Sequence, residues 1–236
     1  MTKEEKKDTE KPEKEEKRKR EIAIPGEKIV SGKEYLPGDG TRREGDDIIS
    51  NKFGLSDVSG RLVKVIPLSG TYLPRVGNIV IGIVSDVTFN GWLMDLKAPY
   101  SSFLSLSECP MFIKGDLKEY YDIGDVLSCK VTSVKQKGID LTIKGRGLGK
   151  LGKGIIIQIN SNKVPRVIGR EGSMIKLIKE ETNCNIIVGQ NGIVWISGNT
   201  IESELKAKEA ILFVVNKSFI EGLTDKVQGW FKGERK

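Results

Sequence analysis

Two glycines three residues apart, Gly169 and Gly172, enclose Arg170 and Glu171 and form the segment whose spacing points most directly to chemistry. Glycine lets the backbone pass close to a ligand, and a turn that opens a helix leaves main-chain amides free to bind anions. Such a loop can bind an anionic group such as a phosphate. Because Glu171 places a carboxylate where a phosphate would lie and Arg170 only balances it, we expect a modest affinity through this loop. A plain turn between two helices, without a ligand, is the alternative.

The amino-acid composition excludes several classes of catalytic site. The 236 residues include no histidine, which excludes Ser-His-Asp and Cys-His catalysis and every zinc site that needs an imidazole. Carboxylate-only and lysine-based catalysis stay open, but no acidic cluster set among glycine turns marks such a site. We therefore expect no catalytic residue, no metal site and no cofactor. A net charge of +7 and a pI of about 9.2 favour a polyanionic partner.

Cysteine usage and apolar runs indicate the compartment. Cys109, Cys129 and Cys184 lie far apart and form no Cys-x-x-Cys pair. An odd number of dispersed cysteines is typical of reduced, buried or incidental thiols, so we expect a cytoplasmic protein. The sequence contains no apolar run of about 18 residues and no apolar segment near its start. We therefore expect neither a membrane span nor a signal peptide.

The elements around the glycine pair are predicted from apolar periodicity. The run 154–159 predicts a buried strand, and the residues after the glycines predict a short helix. Two further apolar runs, 185–188 and 193–196, flank Asn191 and Gly192. An Asn-Gly pair between apolar runs is a strong hairpin signal, because both residues tolerate positive φ.

A last helix is predicted from a capping pair and an apolar face. Asn199, with Glu202 three residues on, matches a capping box, and the helical pattern continues to about Phe219. The residues expected on its apolar face are Ile201, Leu205, Leu212 and Val215.

In this order of elements, residues 154–220 resemble a KH domain of the eukaryotic type (type I) topology. The resemblance implies binding of single-stranded RNA. It assigns the RNA contacts to the loop of Gly169, Arg170, Glu171 and Gly172.

Residues 73–146 form a second unit that is rich in strand signals. It opens with Val-Gly-Asn-Ile-Val-Ile-Gly-Ile-Val (76–84) and continues with a Phe-Asn-Gly-Trp turn (89–92), a Phe-Leu-Ser-Leu-Ser strand (103–107) and Ile-Gly-Asp-Val (123–126). Together these features resemble an S1-type RNA-binding domain, which is a five-stranded OB barrel. In the S1 family, exposed aromatic rings on adjacent strands stack on bases while basic residues contact the RNA backbone.

The S1 resemblance implies particular RNA-binding positions. They are the aromatic places, filled by Phe89 with Trp92 or Leu93, and the basic residues Lys130, Lys135 and Lys137. Ser105 stands where many S1 domains have a histidine, and Gly138 where many have an arginine. The alternative role for the aromatic rings is barrel core. We expect Phe103 in the core, whereas for Phe89 and Trp92, beside a glycine in a turn, both roles stay open.

The segments outside these two domains carry weaker signals. Residues 1–21 contain nine Lys/Arg and eight Asp/Glu, too little apolar surface to fold, so we expect a disordered charged tail. Residues 22–72 combine Pro-Gly turns with short apolar runs and predict a small β-domain. Residues 221–236 predict a weakly organised tail, although Trp230 and Phe231 indicate that it docks somewhere.

A glycine-rich stretch joins the two domains. Gly147, Gly149 and Gly152 spell Gly-x-Gly-x-x-Gly, but a dinucleotide site needs a preceding strand and a following helix, and here a strand follows. We therefore interpret residues 147–153 as a linker. Three basic residues in or next to this linker either contact RNA phosphates or lie in solvent: Arg146, Lys150 and Lys153.

Residues 22–220 as a whole resemble the S1/KH cap subunit of the archaeal RNA exosome. Further matching segments are Ile-Pro-Gly-Glu (24–27), Pro-Gly-Asp-Gly-Thr (37–41) and Tyr-Leu-Pro (72–74). The resemblance implies a multidomain β and α+β fold: a small N-terminal β-domain, a central S1-type OB barrel and a C-terminal type I KH domain.

The exosome resemblance also implies a function. In that family the subunit is not catalytic, and three copies sit on a hexameric ring of phosphorolytic RNase PH-type subunits, with a second type of cap subunit as a further partner. The N-terminal domain docks on the ring, while the S1 and KH domains guide RNA 3′ ends to its pore for 3′-to-5′ degradation and processing. One alternative is a free-standing S1/KH protein in translation or ribosome assembly. Another is a fragment of a polynucleotide phosphorylase-like enzyme, but those enzymes carry KH before S1.

Overall fold

A computed structural model describes residues 21–109, 117–136, 138–218 and 222–233. The charged tail, apart from Glu21, lies outside the described residues, and so does Phe219, the expected end of the last helix. The chain divides into two units, Met1–Leu68 and Ser69–Lys236. Within the described part of the chain, no helix is long and apolar enough to cross a membrane.

The first unit consists of two small sheets. Its strands are β1 (Ile22–Ala23), β2 (Lys28–Ser31), β3 (Leu36–Pro37), β4 (Thr41–Glu44), β5 (Asp47–Ser50), β6 (Gly54–Ser59) and β7 (Leu62–Pro67). One sheet has the order β1-β6-β7-β3 and the other β2-β5-β4. Along β7, Val63 and Val65 are buried while Leu62 and Ile66 are exposed, the alternation that a strand with one covered face requires. The small β-domain predicted from the sequence is confirmed.

The second unit begins with a closed barrel. Its strands are β8 (Ile79–Thr88), β9 (Gly91–Asp95), β10 (Ser102–Ser105), β11 (Val126–Lys135), β12 (Gly138–Thr142) and the short β13 (Gly149–Lys150). The sheet order is β12-β10-β9-β8-β11-β13, and a further pairing of β12 with β11 closes five strands into a barrel. The pairing of β10 with β12 is parallel. This architecture confirms the predicted S1-type OB barrel.

The barrel interior is a continuous apolar core. Leu104, Leu127 and Leu141 have no exposed surface. Tyr72, the last residue that the sequence analysis assigns to the N-terminal domain, also packs in this core, and its hydroxyl donates to Asn78 Oδ1 at 2.8 Å. Burial raises the pKa of Tyr72 to about 12.

Strands and helices in the predicted KH order follow the barrel. They are β14 (Ile155–Gln158), α1 (Val164–Ile168), α2 (Ser173–Thr182), β15 (Asn185–Val188), β16 (Ile193–Ser197) and α3 (Ile201–Asn216). The antiparallel sheet has the order β14-β16-β15. One face of the sheet, with Ile157, Ile186 and Val194, forms a core with Ile178 of α2 and Ile211 of α3. The predicted type I KH domain is confirmed.

Helix α3 begins one residue later than predicted. Its N-cap is Thr200, whose hydroxyl accepts a hydrogen bond from the main-chain amide of Ser203 at 3.2 Å. The predicted capping pair of Asn199 and Glu202 is therefore wrong. Thr200 has the extended backbone that an N-cap needs, and a hydroxyl fills the same role as the predicted asparagine.

The buried face of α3 also differs from the prediction. Ile201 is 73% exposed, and Leu205 is exposed as well. The residues that pack on the sheet are Ala207, Ala210, Ile211 and Val214. Alanine lets the helix approach the sheet closely, and a search for large apolar side chains overlooks it.

The C-terminal segment forms helix α4 (Leu223–Phe231) instead of the weakly organised tail that the sequence indicated. Leu223 and Val227 are buried in the KH core. The ring of Trp230 lies 6.1 Å from that of Phe213 on α3. The docking inferred from Trp230 and Phe231 is thus present, and its partner is the KH domain itself.

Candidate nucleic-acid interface

The Gly-x-x-Gly loop between α1 and α2 uses left-handed backbone conformations. The φ angles are 77° at Gly169, 53° at Glu171 and 79° at Gly172. A Cβ atom at Gly169 would lie 2.7 Å from the main-chain nitrogen of Met174, so no side chain fits there. At Gly172 a Cβ atom would meet almost open space, which leaves the backbone of the loop accessible.

The electrostatics of this loop combine an attractive and a repulsive group. Helix α2 begins at Ser173 without a side-chain cap, so the positive end of its dipole faces the loop. Arg170 and Glu171 are both exposed. The loop can therefore bind a phosphate through main-chain amides and Arg170, with Glu171 as the opposing charge. The structure brings together the four residues predicted for this site.

The turn between β8 and β9 presents an aromatic ring to solvent. Its two residues are Phe89 and Asn90, and Phe89 is 94% exposed. The Thr88 hydroxyl donates to the carbonyl oxygen of Gly91 at 2.7 Å and closes the turn. An exposed ring on a fixed turn offers a flat apolar surface on which a base can stack.

Trp92 contradicts its predicted stacking role. Its side chain has no exposed surface, and its indole nitrogen donates to the carbonyl oxygen of Tyr121 at 2.8 Å. The ring lies edge-on to Tyr121, with 5.0 Å between centroids. The cause is the alternation of β9, which turns Trp92 and Met94 into the barrel and Leu93 outwards.

Phe103 contradicts the expectation that it belongs to the barrel core. On β10, Ser102 and Leu104 are buried, while Phe103 is only half-buried on the outer face. The edge of its ring covers Gly91, where a Cβ atom would lie 2.9 Å from Phe103 Cζ. Phe103 lines an open groove of about 300 Å³, together with Leu93 and other residues of neighbouring strands.

The basic residues predicted on the barrel have different surroundings. Lys130 is exposed on β11. Lys135 forms an ion pair with Asp140, with 2.5 Å between Nζ and Oδ2. Lys137 lies outside the described residues. The charge at Lys135 is thus partly balanced, whereas that at Lys130 faces solvent.

The glycine-rich linker is attached to the barrel. Gly149 and Lys150 form β13 on the edge of β11, and Lys150 Nζ lies 2.5 Å from Asp125 Oδ2. Partial burial is the largest single influence and raises the pKa of Asp125, but the hydrogen bond from Lys150, the main-chain amide of Asp122 and the Lys150 charge together outweigh it, so the pKa is lowered. Arg146 and Lys153 are exposed, so both can contact RNA phosphates.

The barrel and the KH domain share a buried junction that sequence analysis missed. Asn191 is 3% exposed, and its side chain forms three hydrogen bonds to the main chain of Ile81 and Leu96 in the barrel. Ile81 also packs with Ile193 and Trp195 of the KH sheet. The predicted hairpin is present, but Asn191 does not have a positive φ. Its side-chain amide forms hydrogen bonds with the barrel instead. The junction fixes the two candidate RNA-binding surfaces relative to each other.

Potential metal ligands do not cluster in the part of the chain that the structure describes. In residues 21–109, 117–136, 138–218 and 222–233, no three His, Cys, Asp or Glu side chains lie together in a way that could hold a metal ion.

Comparison with known proteins places these features in a family. A family model described as KH domain matches residues 154–213. The exosome complex component Rrp4 of Pyrococcus furiosus is 43% identical over 216 residues, which cover 89% of this chain and 81% of the relative.

The chain belongs to the Rrp4 family of exosome complex components.

Other members and a solved structure agree with this Rrp4 assignment. The Rrp4 protein of Methanothermobacter thermautotrophicus is 41% identical over 210 residues, which cover 89% of this chain and 67% of the relative. A crystal structure assigned provisionally to an exosome complex RNA-binding protein is 32% identical, with a TM-score of 0.63, and the match covers 70% of this chain and 98% of that one.

Two residues of this Rrp4-family chain escaped the sequence analysis for different reasons. Phe103 carried a usable signal, because the alternation of Ser102, Phe103, Leu104 and Ser105 places Phe103 and Leu104 on opposite faces. Asn191 carried no local signal, since its partners lie 110 and 95 positions away.

Proposed function

We propose that this chain is a non-catalytic RNA-binding subunit of an exosome complex. In this function it binds single-stranded RNA and guides the 3′ end into a ring of phosphorolytic RNase PH-type subunits. The observation that carries the proposal is family membership over 89% of the chain, since the relatives bear the name exosome complex component.

The two RNA-binding surfaces support the RNA part of the proposal. The KH loop offers main-chain amides and Arg170 to a phosphate, and the barrel offers the exposed ring of Phe89 to a base. Because Asn191 fixes the barrel to the KH domain, one strand of RNA meets both surfaces in a constant geometry. A preordered surface binds with a smaller loss of conformational entropy than two tethered domains would.

The absence of histidine supports a non-catalytic role. Without an imidazole the chain lacks the side chain that most often serves as a general base near neutral pH, and we assign the chemistry of RNA cleavage to the partner subunits. The degradation of RNA is then a property of the assembly, and this chain contributes binding and guidance.

The remaining parts of the proposal rest on the resemblance to the exosome cap and, for the cytoplasmic location, on the three dispersed cysteines. The small β-domain of the first unit docks on the ring, a second type of cap subunit shares it, and the complex works in the cytoplasm.

Purification of the tagged full-length chain from its native cells, followed by mass spectrometry, tests the proposal. We expect RNase PH-type subunits in stoichiometric amounts and a particle far larger than the 26.1 kDa of the chain alone. A chain that runs at its own mass, or that brings down ribosomal and translation proteins without RNase PH-type subunits, would support the free-standing alternative and overturn the proposal.

A further inference from the structure

The dipeptide Asn-Gly occurs twice in the chain, as Asn90–Gly91 and as Asn191–Gly192, and its surroundings differ at the two places. Asn90 is exposed in the turn between β8 and β9. Asn191 is only 3% exposed and lies in the junction between the KH domain and the barrel. The same chemical group is therefore open to reaction at one place and enclosed at the other.

An asparagine that precedes a glycine can react with its own main chain. The main-chain nitrogen of the following residue attacks Cγ of the asparagine, and glycine hinders this approach least because it has no Cβ atom. The two reacting atoms belong to adjacent residues, so ring closure needs no encounter between molecules. Asparagine is also among the thermolabile residues of proteins. An exposed Asn-Gly pair is thus a candidate for slow, spontaneous modification.

The Thr88 hydroxyl polarises the side-chain amide of Asn90. Its oxygen lies 3.1 Å from Asn90 Oδ1 and 2.7 Å from the carbonyl oxygen of Gly91, so its hydrogen can bond to either. A donor at Oδ1 stabilises the negative charge that develops on this atom when a nitrogen attacks Cγ. Thr88 and Gly91 form the last register pair between β8 and β9, and the end of a ladder opens more readily than its middle. The turn therefore supplies an activated amide and a nitrogen that local opening releases.

We propose that Asn90 is a site of spontaneous covalent modification, at which a carboxylate replaces the side-chain amide by way of a cyclic imide. The Gly91 nitrogen forms a bond to Asn90 Cγ, the Cγ–Nδ2 bond breaks, and ammonia leaves with the proton of the Gly91 nitrogen. Water then opens the imide at either of its carbonyl carbons. One opening gives aspartate, and the other gives isoaspartate, in which the main chain runs through Cγ.

The buried pair is protected from the same reaction. The side-chain amide of Asn191 forms hydrogen bonds through both of its polar atoms, to the main chain of Ile81 and Leu96. The nitrogen that would attack, that of Gly192, donates to the carbonyl oxygen of Gly189 at 2.9 Å. Both reacting groups are thus held apart by bonds of the folded chain. Asn191–Gly192 should stay intact for as long as the junction is closed.

The modification changes the turn that presents Phe89 to solvent. A carboxylate at Asn90 adds a negative charge next to the exposed ring, and this charge repels the phosphates of an RNA strand. Isoaspartate also lengthens the main chain of the turn, and the Asn90 oxygen that accepts from the Leu106 nitrogen at 3.0 Å then belongs to a free carboxylate. RNA affinity should therefore fall as the chain ages. This consequence rests on the proposed function, whereas the modification itself does not.

Peptide mass spectrometry of the purified full-length chain, aged in warm, mildly alkaline buffer, tests the site. A sample unfolded in guanidinium chloride is aged in parallel until both Asn-Gly peptides have changed from amide to carboxylate. In the folded chain we expect the Asn90 peptide to change at least about tenfold faster than the Asn191 peptide, because the buried hydrogen bonds of Asn191 must break first. Equal rates for the two peptides in the folded chain, or a folded chain whose Asn90 peptide stays unchanged, would overturn the proposal.

Two variants measure the effect on RNA by fluorescence anisotropy with a labelled single-stranded RNA. Asn90→Asp carries the charge of the product and should weaken binding by about two- to tenfold at low salt. Asn90→Ser adds no charge and, as the matched control, should stay within about twofold of the wild type. Equal affinities for the two variants would overturn the effect on RNA. A wild-type chain that binds no RNA would overturn the proposed function, while the mass change at Asn90 would still decide the modification.

Discussion

The side-chain amide of Asn191 pairs with both main-chain groups of Ile81: Oδ1 accepts from the Ile81 nitrogen at 3.2 Å, and Nδ2 donates to the Ile81 oxygen at 2.8 Å. Nδ2 also donates to the Leu96 oxygen at 2.9 Å. A KH loop residue thus mimics a peptide unit at the barrel strand. Because these groups are buried, removal of the amide leaves main-chain groups without partners, which costs about 1–3 kcal/mol for each.

Asn191→Ala should therefore lower the free energy of unfolding by about 2–4 kcal/mol. Urea denaturation followed by tryptophan fluorescence measures the change, since Trp92 lies in the barrel and Trp195 at the junction. The neighbouring exposed residue supplies the control, and Gln190→Ala should stay within about 0.5 kcal/mol of the wild type. Equal midpoints for Asn191→Ala and Gln190→Ala would refute the junction as described.

Trp92 and Phe89 should respond in opposite ways to the same kind of change. Trp92→Leu removes a fully buried ring and should destabilise the chain by about 2–4 kcal/mol. Phe89→Leu removes a ring that is 94% exposed and should leave stability unchanged, but it should weaken RNA binding by about fivefold or more. Thermal unfolding and RNA titration, run on both variants, separate the two effects. A Trp92→Leu chain of normal stability that loses RNA affinity would restore the original stacking assignment.

The KH loop should respond to charge. Arg170→Asp should weaken RNA binding and Glu171→Lys should strengthen it, each by about two- to tenfold at low salt, because the phosphate lies next to the altered charge. Both residues are exposed, so the fold should tolerate either change. Glu181→Lys, an exposed site at the far end of α2, makes the same charge change as a control. Identical shifts from Glu171→Lys and Glu181→Lys would mean that only overall charge matters and that the loop binds no phosphate.

The order of the strands in the barrel and of the strands and helices up to α3 in the KH domain could be predicted from the sequence, because each apolar run has the period of its element. For residues 22–72 only a small β-domain was predicted, without an order of strands. What failed depended on distant partners or on small residues. Both core and surface roles fitted Trp92, and only the alternation along β9 places it inside the barrel. The buried face of α3 was missed because it centres on the small residues Ala207 and Ala210. Asn191 fitted a turn by local propensity, yet its role depends on Ile81, 110 positions away. Tertiary packing, within the barrel for Trp92, within the KH core for α3 and between the two for Asn191, decided each of these cases.

Cys129 should be unreactive in the folded chain. Burial, with a smaller contribution from the neighbouring Cys109, raises the pKa of its thiol to about 12. Since the thiolate is the reactive form, a raised pKa leaves on the order of one molecule in ten thousand ionised at pH 8. Iodoacetamide at pH 8 should therefore modify Cys129 only after urea is added, as peptide mass spectrometry would show. Rapid modification of Cys129 under native conditions would contradict the closed barrel core.

Binding without cleavage is the central claim, and one titration tests it most directly. The purified full-length chain is mixed with end-labelled single-stranded RNA and inorganic phosphate over a range of salt concentrations. We expect the logarithm of the affinity to fall with the logarithm of the salt concentration, by about 0.7 for each phosphate contacted, and the RNA to stay at full length. Absence of binding at low salt, or phosphate-dependent release of nucleoside diphosphates by the isolated chain, would contradict the claim.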